Sequence, residues 1–141
     1  MVIEDDLDDQ DLLEEAFRTL DYPNPTIFFS NGYDALNYLH QCSAPPALII
    51  SDINMPKING IEILKRINRT PELKKLDIPF VFLTTLSQKE AAASSNSVSG
   101  QPFFTKPTTM EGLRNVIRSI MEYRVQRGAP MSCEVTGARL R

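Results

Sequence analysis

The sequence predicts an α/β fold, a doubly wound parallel β-sheet with helices covering both faces. Three observations lead there. Short apolar segments alternate with longer segments whose apolar residues recur at helical spacing, the pattern of successive β-α units with parallel strands. Two of the apolar runs, 47–50 and 80–83, have no polar interruption, as befits strands buried on both faces, and each stops at polar residues, Ser51-Asp52 and Thr84-Thr85. A chain of 141 residues, 42% of them hydrophobic, is also large enough for one domain with a substantial core.

Taken in order, Met1 to Ile3 runs straight into Glu4, Asp5 and Asp6 and reads as the second half of a first strand. Either its start is clipped or the strand is short, and both cases imply reduced stability. From Asp8 or Asp9 to Leu20, residues Leu12, Leu13, Ala16, Phe17 and Leu20 form one helical stripe. Asp8, Asp9 and Asp11 suit the positive helix start, and Asp8 and Asp9 read as better caps than the acids at 4–6. Pro23 and Pro25 break the chain before a second strand, Thr26 to Ser30, which Asn31-Gly32 ends. A helix from Tyr33 to about Gln41 turns Ala35, Leu36 and Leu39 inward, and the single histidine, His40, lies at its end as a surface residue.

The central strand at 47–50 is followed by a helix from Ile61 to Asn68 that presents Ile63, Leu64 and Ile67 to the sheet. Thr70-Pro71 ends it, and Glu72 to Ile78 reads as a polar connection. Pro79 opens the fourth strand, Phe80 to Leu83. A fourth helix, about Ser87 to Val98, is weak, because serines 94, 95 and 97 and Asn96 each cost roughly half a kcal/mol relative to alanine. Phe103 to Thr105 is a fifth strand leading into Lys106-Pro107. The last helix, about Thr109 to Arg124, buries Leu113, Val116, Ile117, Ile120 and Met121. Residues 125–141 carry Gly128, Pro130, Gly137 and scattered arginines without periodicity, so they read as a disordered tail after a domain spanning 1–124.

Composition excludes several function classes. The net charge is -3 and the spaced arginines near the end form no patch, so direct nucleic-acid binding is not expected. No apolar run approaches the ~20 residues of a membrane helix, and the acidic start is unlike a signal peptide, which points to the cytoplasm. Cys42 and Cys133 lack the pattern of a disulfide framework or a zinc site and read as free thiols. Seventeen residues beyond Arg124 are too few for an effector domain, so output is expected through a partner protein.

The stretch from Asp52 to Gly60, Asp-x-Asn-Met-Pro-x-x-x-Gly, resembles the phosphoacceptor motif of bacterial response-regulator receiver domains. The other expected residues recur in order: Glu4-Asp5 after the first strand, Thr84 after the fourth and Lys106-Pro107 after the fifth. The resemblance runs from Val2 to about Arg124. It implies a flavodoxin-like (βα)5 fold with strand order 2-1-3-4-5, in which Glu4 and Asp5 lie beside Asp52. Carboxylates that crowd a partly desolvated cleft must take up protons or bind a cation. Oxygen donors without a nearby histidine or cysteine suit Mg2+, with Mn2+ as a substitute.

What the resemblance implies for individual residues is specific. Asp5 and Asp52 ligate the metal through side chains, Asn54 through its backbone carbonyl and Glu4 through a water. Asp52 accepts a phosphoryl group from a phosphohistidine on a sensor histidine kinase or histidine phosphotransfer protein, without the chain being a conventional enzyme. Lys106 contacts a phosphoryl oxygen, and Thr84, in preference to Thr85, donates its hydroxyl. Phe103 takes the aromatic switch position, rotating into space that Thr84 vacates and remodelling the face of the fourth helix, fifth strand and last helix. An unidentified downstream protein, or a second copy of the chain, would dock on that face. Leu86 offers nothing to orient an attacking water, so the phosphorylated state is expected to be long lived.

Some departures leave alternatives open. Thr85 stands where the family usually has a smaller residue, and Phe103 lacks the hydroxyl of the more usual tyrosine. A receiver-shaped scaffold that never takes phosphate is one rival. The other is a magnesium-dependent phosphatase with an aspartyl nucleophile, which needs a second aspartate two residues on, where this chain has Asn54.

Overall fold

In this computed structural model, which describes residues 1–87, 89–90, 93 and 101–126, β1 (Val2–Ile3) leads into α1 (Leu7–Leu20), β2 (Phe28–Phe29) and α2 (Gly32–Gln41). The chain continues through β3 (Ile49–Ser51), α3 (Gly60–Arg69), a single turn α4 (Pro71–Lys74), β4 (Phe80–Thr84), β5 (Phe103–Thr105) and α5 (Met110–Gln126). The sheet order is β2-β1-β3-β4-β5, every neighbouring pair parallel, as the sequence resemblance implied.

Successive strand residues point to opposite faces, and this sorts the core into two layers. Ile3, Ile49, Phe80 and Phe82 pack on one side with Ala35, Leu36 and Leu39 of α2 and Ile63, Leu64 and Ile67 of α3. Val2, Ile50, Val81 and Leu83 pack on the other with Leu13 and Ala16 of α1 and Leu113, Ile117 and Ile120 of α5. Both faces of the sheet are therefore dry, which is why its strands read as unbroken apolar runs. Close approach of α2 to α3 depends on Gly32, where a Cβ would lie 2.5 Å from Ile63 Cδ1.

Register is what positions the site. Ile3 pairs with Ser51, so β1 and β3 end level, and Thr84 pairs with Thr105, so β4 and β5 do too; because Ser51 pairs with Phe82, the second pair runs two residues further. Backbone bonds carry the ladders one residue further, Asp52 N donating to Ile3 O at 3.1 Å and Lys106 N to Thr84 O at 2.8 Å. Glu4, Asp52 and Lys106 are thereby delivered to one edge.

Several local expectations are corrected. α1 begins at Leu7 and is capped by Asp6, whose extended backbone lets its carboxylate accept from Asp9 N at 3.0 Å; Asp8 and Asp9 lie inside the helix. Leu12 is 49% exposed, so the buried stripe of α1 is narrower than its periodicity suggested. β2 is confined to Phe28–Phe29, and β3 ends at Ser51 rather than Ile50. The connection after α3 contains α4, because Pro71 is pre-organised for a first helical turn and Leu73 needs burial, at 3% exposure. α5 extends to Gln126, two residues beyond the expected end at Arg124, and Arg124 itself is buried. The helix anticipated at 87–98 falls largely, and the tail from 127 with Cys133 wholly, outside the described residues.

Candidate functional site

At the carboxyl edge of the sheet, Asp52 follows β3 directly. One oxygen, Oδ1, accepts from Ile53 N at 2.7 Å, and Oδ2 faces the ammonium of Lys106 at 3.1 Å. The backbone carbonyl of Asp52 accepts from Ser51 Oγ at 2.8 Å. Gly60 starts α3 against that carbonyl so closely that a Cβ there would lie 2.1 Å from Asp52 O. The glycine of the Asp-x-Asn-Met-Pro-x-x-x-Gly stretch is therefore a packing requirement of the acid itself.

β1 contributes the adjoining acids. Glu4 is buried, with Oε1 accepting from Asp6 N at 3.1 Å and Oε2 held by Lys106 Nζ. Its backbone carbonyl accepts from Nε2 of Gln10, a buried side chain that also donates to Ser30 Oγ at 3.1 Å. One carboxylate oxygen from each of Glu4, Asp5 and Asp52 lies within 4.8 Å of the other two. With only oxygen donors, the cluster has the composition of a site for a hard divalent cation.

Lys106, delivered by β5, spans the cluster. An ammonium has three hydrogens to donate, and Nζ meets three carboxylates: Glu4, Asp52 and, at 2.9 Å, Oδ2 of Asp9. Burial alone would lower the pKa of this lysine, but its hydrogen bonds to Glu4 and Asp9 and the charges of Glu4 and Asp52 outweigh that and hold it above the ordinary lysine value. Lys106 is a fixed cation. Glu4 moves the other way, pushed up to about 7, chiefly by burial and further by the Asp52 charge, against the opposing pull of Lys106. The ammonium meets Glu4, Asp9 and Asp52, while Asp5 gathers with Glu4 and Asp52, an excess of acid over base that a dication fits.

The other expected site residues fall nearby. Thr84 ends β4 with 1% exposure and its Oγ1 accepts from Leu86 N at 3.3 Å; among the described residues it makes no hydrogen bond to Asp52. Thr85 is exposed, as is Asn54 in the loop after Asp52. Phe103 is half-buried and stacked on Phe82, with centroids 5.0 Å apart at 18°. His40 is exposed and away from the acids, and Cys42 is a free thiol whose pKa burial pushes up. Asp9 is the partner that sequence reasoning missed. As a helix-start acid it looks the same whether it points to solvent or to Lys106.

A doubly wound parallel sheet with an acid cluster and a bridging lysine at its carboxyl edge defines a receiver-type α/β domain. The chain belongs to the response regulator receiver domain family, whose profile matches residues 1–118. It is 29% identical over 128 residues to the response regulator Rcp1 of Synechocystis sp., covering 87% of this chain and 86% of that protein. The phosphorylated cyanobacterial phytochrome response regulator RcpA superposes with a TM-score of 0.75 at 28% identity, covering 89% of this chain and 92% of the other. Rcp1 in its Mn2+-bound form gives 0.70 at 29% identity, covering 86% and 90%.

The protein is accordingly a phosphoacceptor receiver of two-component signalling, a system in which receivers work with histidine kinases or phosphotransfer proteins. Neither the phosphatase nor the silent scaffold is favoured. No described helix is long and apolar enough to cross a membrane.

Proposed function

We propose that Asp52 is the phosphoacceptor and that its phosphorylation switches binding to a downstream protein in the cytoplasm. The observation that carries this reading is the convergence of Lys106 Nζ on Asp52 Oδ2, 3.1 Å apart, at the edge where Glu4 and Asp5 gather. A carboxylate oxygen of Asp52 attacks the phosphorus of a phosphohistidine in line. An O–P bond forms, the P–N bond breaks, and its electron pair returns to the imidazole. Covalent help from the protein is not needed, since phosphoryl transfer responds mainly to positioning and charge neutralisation.

Each neighbouring residue has a part in this reading. Ile53 N fixes the orientation of the Asp52 carboxylate, and Lys106 neutralises charge on a phosphoryl oxygen. Asp5, Asp52 and the Asn54 backbone carbonyl would hold Mg2+ or Mn2+, with Glu4 acting through a water, and the ion would neutralise phosphoryl charge as a Lewis acid. The close carboxylates and the manganese-bound form of Rcp1 support that assignment. Thr84 turns its hydroxyl from the local contact with Leu86 N to the phosphoryl group, and Phe103 follows by leaving its stack on Phe82.

Intact-mass measurement after incubation with acetyl phosphate and Mg2+ tests the reading. One added phosphoryl group, absent from Asp52→Asn and from samples with chelator, is expected. An unchanged mass for the native chain would overturn it in favour of a scaffold.

A further inference from the structure

The geometry points to Asp9 as a positioning residue: it clamps Lys106 to the first turn of α1 in the resting protein and releases it when a phosphoryl group arrives. This inference rests on Asp52 being the phosphoacceptor. Lys106 is 10% exposed in its side chain, and its three donors are taken by Glu4, Asp9 and Asp52. Phosphorylation of Asp52 Oδ2 frees the one donor that met it, but the phosphoryl oxygens stand beyond that atom, so the ammonium can follow them with a second donor only if Glu4 or Asp9 gives way.

The three differ in what release costs. Glu4 has a side chain only 2% exposed, and freeing it would leave a buried acid without its cation. Asp52 becomes part of the phosphorylated group itself. Asp9 is 37% exposed and can turn to water, so it is the partner that leaves most cheaply. Its backbone N–H remains bonded to the Asp6 cap, so the helix start survives the exchange while its tie to the end of β5 is cut. Occupancy of the site is thereby coupled to the first turn of α1, an element that lies off the face of β5 and α5 assigned to output.

The test compares Asp9→Asn with Asp8→Asn in the full chain, using acetyl phosphate and saturating Mg2+ with intact mass as readout. Asp8 is exposed, removes the same charge from the same turn, and has no contact with Lys106 among the described contacts. Asp9→Asn is expected to raise the rate constant of phosphoryl uptake about threefold over Asp8→Asn, the size of a half-exposed ion pair that no longer has to break. Asp9→Glu, which restores the charge, should return most of the native rate. A backbone amide shift of residues 7–10 on adding beryllofluoride, present in the native protein and lost in Asp9→Asn, is the second expected signature. Equal rates for Asp9→Asn and Asp8→Asn, or amide shifts unchanged by the substitution, would overturn the clamp while leaving Asp52 as acceptor. Failure of the native chain to gain mass would instead overturn the acceptor reading.

Discussion

Lys106 Nζ lies 3.1 Å from Asp52 Oδ2, although 54 positions separate the two residues along the chain. The 2-1-3-4-5 order, which sets β3 and β5 on either side of β4 with β5 running two residues past β3, brings them together. The same cation is the counter-charge of Glu4, so structure and chemistry depend on one side chain.

Replacing Lys106 with methionine should therefore harm folding as well as phosphorylation. Glu4 would keep its burial and lose its cation. The expected loss at pH 8 is about 2 kcal/mol, below the ~3–5 of a fully isolated buried charge because Glu4 can take up a proton. At pH 5, where Glu4 is protonated, the loss should shrink by more than half. Urea denaturation at the two pH values measures the difference.

The raised pKa of Glu4, about 7 in the folded chain against 4.5 in the unfolded one, fixes the sign of a second effect. Between those values the folded state holds more protons. The contribution of Glu4 to stability is thus fully present below pH 4.5 and is lost as the pH rises through 7. Metal binding must displace the same proton, so the apparent affinity for Mg2+ should rise with pH up to about 7 and then level off. Asp5 and Asp52 remain in Glu4→Gln, which should flatten both profiles. Melting curves and calorimetric titration across pH 5–8 would reveal a wrong assignment if the variant kept the native slopes.

Gly60→Ala places a methyl group where Asp52 O stands 2.1 Å away and Ser51 Oγ 3.0 Å away. Backbone cannot yield as a flexible side chain can. A destabilisation of about 1–3 kcal/mol is expected, together with slower phosphoryl uptake as the loop bearing Asp52 shifts. Denaturation and mass kinetics on the same variant report both.

Leu12 and Leu13 are adjacent in sequence and opposite in setting, 49% against 3% exposed. Leu13→Ala should cost about 2–5 kcal/mol through the cavity it leaves between α1 and the sheet. Leu12→Ala should change stability by less than about 0.5 kcal/mol. Similar losses for both would place the helix in a different rotation.

These contrasts show which features the sequence exposes. Asp52 and Lys106 are legible because each directly follows a short apolar strand, and strand ends in a parallel sheet share an edge. The α1 stripe is only partly legible, since apolar residues at i and i+1 span a wide arc and periodicity does not say which one meets the sheet. α4 is a single turn, too short for any period to register. Arg124 looks like a solvated charge in sequence because its burial depends on how α5 packs beneath it. The contact of Asp9 with Lys106 depends on tertiary register alone, and a helix-start acid carries no sign of it.

The central claim concerns which carboxylate carries the phosphoryl group. Borohydride reduction of the phosphorylated protein converts an acyl phosphate to an alcohol, turning the modified aspartate into homoserine, which peptide mass spectrometry locates. Homoserine at position 52, and at no other acid of the cluster, is the expected result; homoserine at 5 or 9, or its absence from a protein that has gained phosphoryl mass, would contradict the account.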